Sequence, residues 1–157
     1  MGNSAAGSPR TAGTRNALLT ILAAGGLAGA LDLTQALILF GWKTPLVISA
    51  GLLGRGAIHG GVGIYLLGVV LHFLIACSAA ATYYGASRKL VFMNEHPLVC
   101  GLFFGGAVQE VMNLVVLPLS ALHARGPFKI DDLILGLVVH MIVVGLPISY
   151  TVRRFAK

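Results

Sequence analysis

Two stretches of the sequence bury an imidazole where a proton or a metal could be held: Leu67-Gly68-Val69-Val70-Leu71-His72-Phe73-Leu74 and Leu135-Gly136-Leu137-Val138-Val139-His140-Met141-Ile142. In each, the histidine lies well inside an apolar run and has a glycine four residues before it, on the same helical face. Two acids, Asp32 and Glu110, stand in runs of the same character. An ionised carboxylate at the centre of a bilayer costs on the order of 3 kcal/mol even on insertion scales. Imidazole is the chemistry at hand to compensate it, by taking the proton or by donating a hydrogen bond. Gln109 and Asn113 add two carboxamides one helical turn apart, beside Glu110.

A midplane cluster of Asp32, His72, Gln109, Glu110, Asn113 and His140 admits several chemistries. It reads as a path or sensor for protons, cations or a small solute, since ionisable groups within a membrane are functional candidates by default. A sharper form is a divalent metal site with His72, His140, Asp32 and Glu110 as ligands, although no pair of them has a diagnostic spacing. Imidazoles on two helices would also suit bis-histidine ligation of haem b, with glycines making room for the macrocycle. In the reading without chemistry, carboxylate and imidazole pairs only hold helices together and no cofactor is bound. The sequence contains no Gly-x-Ser-x-Gly, phosphate loop, His-Glu-x-x-His or Cys-x-x-Cys, so no motif points to an enzyme.

The elements that must position these groups follow from composition. Hydrophobic residues make up 57% of the 157 and charged residues 10%, against roughly 25% charged in soluble domains. This is the composition of a single-domain membrane protein whose first partner is the lipid bilayer. The net charge of +6 does not mark a nucleic-acid binder, because the eleven Lys and Arg fall in small groups between apolar runs. Cys77 and Cys100 have no metal or redox spacing and read as reduced packing residues.

Residues 1–15, rich in Gly, Ser, Ala and Thr, are expected to form a disordered cytoplasmic tail. Four apolar runs follow, at about 16–42, 62–86, 97–122 and 130–152, each long enough to cross a bilayer as a helix. Ala28-Gly29-Ala30 resembles a signal-cleavage site, but the run continues to Trp42 and predicts an uncleaved helix. Polar punctuation at Lys43-Thr44-Pro45, Arg88 to Pro97 and Arg125-Gly126-Pro127 sets the turns. The Gly-rich stretch 45–63 is too short and broken for a span and is expected to be interfacial or re-entrant.

Aligning His72 on His140 also aligns Gly68 with Gly136, and Gly25-xxx-Gly29 echoes Gly101-xxx-Gly105. The pattern predicts an all-α, four-helix membrane bundle built from two duplicated transmembrane hairpins, with Gly25, Gly29, Gly68, Gly101, Gly105 and Gly136 at helix contacts. On that alignment Asp32 corresponds to Gln109 or Glu110. Counting from the span ends at 1.5 Å per residue puts both acids and both histidines near the midplane, where they are expected to meet. Arg10, Arg15, Arg88, Lys89, Arg153, Arg154 and Lys157 lie on the side of the termini and Lys43, Arg55, Arg125 and Lys129 on the other. That bias predicts cytoplasmic termini. Phe40 and Trp42 at one membrane face, and Tyr83, Tyr84 and Tyr150 at the other, suit aromatic belts. Four helices make a thin pathway, so a homodimer through spare glycine faces is expected.

The second half, with Gly101-Leu102-Phe103-Phe104-Gly105-Gly106-Ala107-Val108-Gln109, then Asn113, Leu117-Pro118-Leu119, Gly136 through His140 and the basic Arg153-Arg154 end, resembles the YagU-like family of small bacterial inner-membrane proteins, a domain of unknown function. The likeness covers the carboxyl-terminal third to half of the chain. It implies a bacterial inner-membrane location and carries over no reaction and no catalytic residues.

Overall fold

An apolar run that must satisfy its own backbone hydrogen bonds away from water can do so as a helix, and the four runs of this chain do. The computed structural model describes residues 9–124 and 129–155, and among them there is no strand. The elements are α1 (Pro9–Phe40), α2 (Thr44–Leu53), α3 (Val62–Lys89), α4 (Phe92–Glu95), α5 (Pro97–Leu119) and α6 (Ile130–Phe155). Of these, α1, α3, α5 and α6 are long and apolar enough to span a membrane. Pro45 and Pro97 occupy first turns, where a missing N–H costs nothing. Asp131 and Asp132 open α6 and Arg153 and Arg154 close it, as the helix dipole favours.

The bundle is closed at one end and splayed at the other. Ala24 and Ala28 of α1, Ala80 and Tyr83 of α3, Met93 of α4, and Val144, Ile148 and Val152 of α6 form one buried core in the half nearest the amino terminus. Tyr83 is fully buried there, its ring 5.0 Å edge-on from that of Phe104 on α5 and its hydroxyl donating to the Met93 carbonyl. It is a core residue, not part of an interfacial belt, because the four spans converge on it. Helix α1 packs between α3 and the second half of α6, residues 140–155, whereas α5 packs on α6 along its whole length, so α1 parts from the start of α6 at the opposite end.

Two expectations about the chain's course change. Helix α1 begins at Pro9, ahead of the membrane span that starts at Thr14, so the segment 9–15 is helical instead of belonging to a tail; Pro9 is a favourable first helical residue. Residues 1–8, and the Arg125-Gly126-Pro127 turn, lie outside the described residues. The Gly-rich connection is a docked helix. Gly41, at φ 86°, turns the chain out of α1, and α2 then runs antiparallel along the start of α3. Pro45 sits directly on Gly68, and the Ser49 hydroxyl donates to the Ile64 carbonyl at 2.6 Å. The far end of α2 is tied to the end of α5 by Ala121 N–H donating to the Gly51 carbonyl at 2.7 Å.

Candidate functional site

The two hairpins, α1 with α3 and α5 with α6, pack in the same register. A Cβ on Gly25 would come within 2.6 Å of the Cys77 backbone, and one on Gly29 within 3.0 Å of Phe73 and Ala76. In the second hairpin Gly101 meets Gly145 and Gly105 meets His140 and Met141. The offset of 68 residues that carries His72 onto His140 also carries Cys77 onto Gly145 and Phe73 onto Met141. With Gly25 and Gly29 laid on Gly101 and Gly105, Asp32 falls on Val108, Leu33 on Gln109 and Thr34 on Glu110. The acid on α1 therefore has no acidic or amide counterpart on α5, which corrects the looser alignment.

From equal positions the two histidines do different things. His72 Nε2 lies 2.9 Å from the Gly29 carbonyl, so it donates across the hairpin, with Asp32 Oδ2 3.8 Å away. That second distance is an ion-pair separation and too long for a hydrogen bond. His140 Nδ1 lies 3.0 Å from Gly136 O and donates back to its own helix, leaving Nε2 as the ring's acceptor when neutral. The backbone explains the contrast: α3 is regular, whereas α6 widens into a π-helical turn over His140–Gly145, just ahead of Pro147. Proline cannot donate to the carbonyl four residues back and crowds it, and a π turn relieves the crowding. Helix α5 does the same over Met112–Val116, ahead of Pro118.

These two π turns border a cavity of about 310 Å³ between α1, α5 and α6, in the splayed half of the bundle. Its polar lining is Gln35, Gln109, Asn113, Asp132 and His140; Leu39, Phe40, Met112, Leu117, Leu135 and Val139 form the apolar wall. Gln109 is only 8% exposed and makes no hydrogen bond, and Gly136 has no side chain because the Gln109 carboxamide fills that space. Asn113 Nδ2 is likewise buried without a partner. An unsatisfied buried amide costs about 1–3 kcal/mol, so Asn113 Nδ2, with the Gln109 carboxamide beside it, is an offer of hydrogen bonds to whatever enters. Among the described residues no lysine or arginine lines the cavity.

The expected convergence of two acids and two imidazoles does not occur. Asp32 and His72 meet in the α1–α3 seam, while His140 joins Gln109 and Asn113 in the cavity. Glu110 is exposed on the outer face of α5, because Gln109 and Gly105 already turn the inner face toward α6. Among the described residues no three His, Cys, Asp or Glu side chains lie close enough to hold a metal ion, so the proposed ligands His72, His140, Asp32 and Glu110 are not assembled. Bis-histidine haem does not fit either: His72 Nε2 is committed to Gly29, and Phe73 and Ala76 fill the space beside that glycine.

Of the six packing glycines, Gly25, Gly29, Gly101 and Gly105 lie between spans, Gly68 receives α2, and Gly136 receives a side chain. Cys77 and Cys100 are free thiols. Sequence reasoning missed Gln35 and Asp132, whose signals were a glutamine one turn beyond Asp32 and an acid opening the fourth span. Pro118 and Pro147 inside apolar runs were the available sign of the π turns.

Fold and site together define an all-α integral membrane protein crossing the bilayer with four helices. No protein-family model, curated protein or solved structure matches the chain.

Proposed function

We propose that this protein takes up a small polar solute, neutral or cationic, into the cavity between α1, α5 and α6, to pass it on or to sense it. The observation that carries the reading is Gln109, a carboxamide 8% exposed and without a hydrogen-bond partner, lining that cavity. Among the described residues the lining supplies amide donors and acceptors, the His140 imidazole and the Asp132 carboxylate but no cationic side chain, a set that disfavours anions. At about 310 Å³ the cavity is at the small end of ligand pockets. The packed core around Tyr83 closes the other half of the bundle, so entry is from the end opposite the amino terminus. The Asp32 and His72 pair serves as polar glue in the α1–α3 seam.

In this reading the protein sits in a bacterial inner membrane with cytoplasmic termini, and the bias of basic residues toward the side of the termini supports that orientation. The shared hairpin register supports descent from one duplicated hairpin, and the residues from Gly101 to Arg154 support kinship with the YagU-like family.

The test is thermal unfolding of the protein in nanodiscs with acetamide, glycerol, methylammonium or acetate added. Stabilisation by a neutral or cationic probe, abolished in Gln109→Leu, is the expected result. Stabilisation by acetate alone, or equal shifts in Gln109→Leu, would overturn it. Flux of the active probe into vesicles then separates passage from sensing.

A further inference from the structure

Glu110 is exposed on α5, nine residues before the helix ends at Leu119, which is about 14 Å of helix from the nearer end. A glutamate side chain cannot reach the membrane surface from there. Along the same stripe stand Phe103, Ala107 and Leu114, all exposed, and among the described residues no other element covers them. Every other exposed hydroxyl near the middle of a span already has a partner on its own helix: Thr34 donates to Ala30, Ser78 to Leu74 and Thr82 to Ser78. Glu110 therefore differs in kind from the rest of the outer surface, and lipid does not satisfy it.

We propose that this stripe of α5 is the interface with a second copy of the same chain, related by a two-fold axis that brings the two Glu110 carboxyl groups together. What another copy could offer decides the arrangement. No Lys or Arg lies in the interior of any span, and both mid-span histidines face inward and donate to Gly29 and Gly136. A head-to-tail contact would thus bring no cation to Glu110. A carboxyl group that carries its proton is donor and acceptor at once, so two of them across a two-fold satisfy each other. Ala107, one turn away on the same face, lets two α5 helices approach closely there. The interface lies on the outside of α5 and leaves the cavity between α1, α5 and α6 untouched.

The experiment uses the full chain in native membranes, with Cys77→Ala and Cys100→Ala as background. Under mild oxidation Ala107→Cys and Leu114→Cys are expected to give covalent homodimers, whereas Leu74→Cys on α3 and Ile142→Cys on α6, both exposed, stay monomeric. Adding Glu110→Gln to Ala107→Cys preserves the cross-link, since a carboxamide is also self-complementary, and adding Glu110→Leu lowers its yield at least tenfold. Equal cross-linking at all four positions, or a yield unchanged by Glu110→Leu, would overturn the proposal. Adducts of Ala107→Cys with a different protein would overturn it in favour of a foreign subunit.

Discussion

The hairpin of α1 and α3 and the hairpin of α5 and α6 share a register of glycine contacts, and their histidines stand at matching positions. In the first, His72 reaches across to Gly29 beside Asp32, and the position matching Gln109 is Leu33, buried and apolar. In the second, a π turn ahead of Pro147 lets His140 fold back onto Gly136, and the Gln109 carboxamide and the unsatisfied Asn113 Nδ2 line a cavity. One backbone plan thus serves once as a packed joint and once as the wall of a cavity. What separates them is where proline interrupts the helix and whether the buried amides are satisfied.

The comparison breaks most completely at what the two hairpins share. Gly25→Ala and Gly101→Ala should each cost about 3 kcal/mol, because the new methyl meets the Cys77 backbone in one case and Gly145 and Ser149 in the other. Gly26→Ala, with open space around it, should stay within about 0.5 kcal/mol, read by denaturant unfolding in mixed micelles. Unequal losses at Gly25 and Gly101 would mean that the common register is not a common source of stability.

A smaller change sharpens the difference. Gln109→Leu installs in the second hairpin the residue found at the matching place in the first. It should raise stability by about 1 kcal/mol, by removing an unsatisfied buried amide, while abolishing solute binding. A loss of stability in the same unfolding assay would mean that Gln109 has a structural partner.

The smallest effects separate the histidines. His72→Ala should lose about 1 kcal/mol, the range of an interhelical hydrogen bond in a membrane, with binding intact. His140→Ala should leave stability nearly unchanged, since its bond is to its own helix, and should lower solute affinity in the nanodisc assay. Equal behaviour of the two variants would erase the distinction between joint and site.

The existence of the four spans was legible in the sequence to within a few residues at most ends, because a helix is the solution for an apolar run of that length. So was the pairing of Gly25-xxx-Gly29 and Gly101-xxx-Gly105 with the next span. The candidate site was half legible: Gln109, Asn113 and His140 were on the right face, while Asp32, His72 and Glu110 were assigned to a cluster they do not join. Depth along a helix can be counted from its ends. The direction in which a side chain leaves the axis, relative to three possible neighbours, cannot.

Composition and periodicity by themselves determined the all-α class and the number of long apolar helices, since these depend on length and on the cost of bare backbone in lipid. Only the tertiary structure decided that α1 lies between α3 and α6, that Glu110 faces outward, and that one hairpin is sealed while the other opens on a cavity. Those outcomes turn on helix rotation and on the widened turns ahead of Pro118 and Pro147, which shift side chains around the axis without leaving a mark on hydropathy.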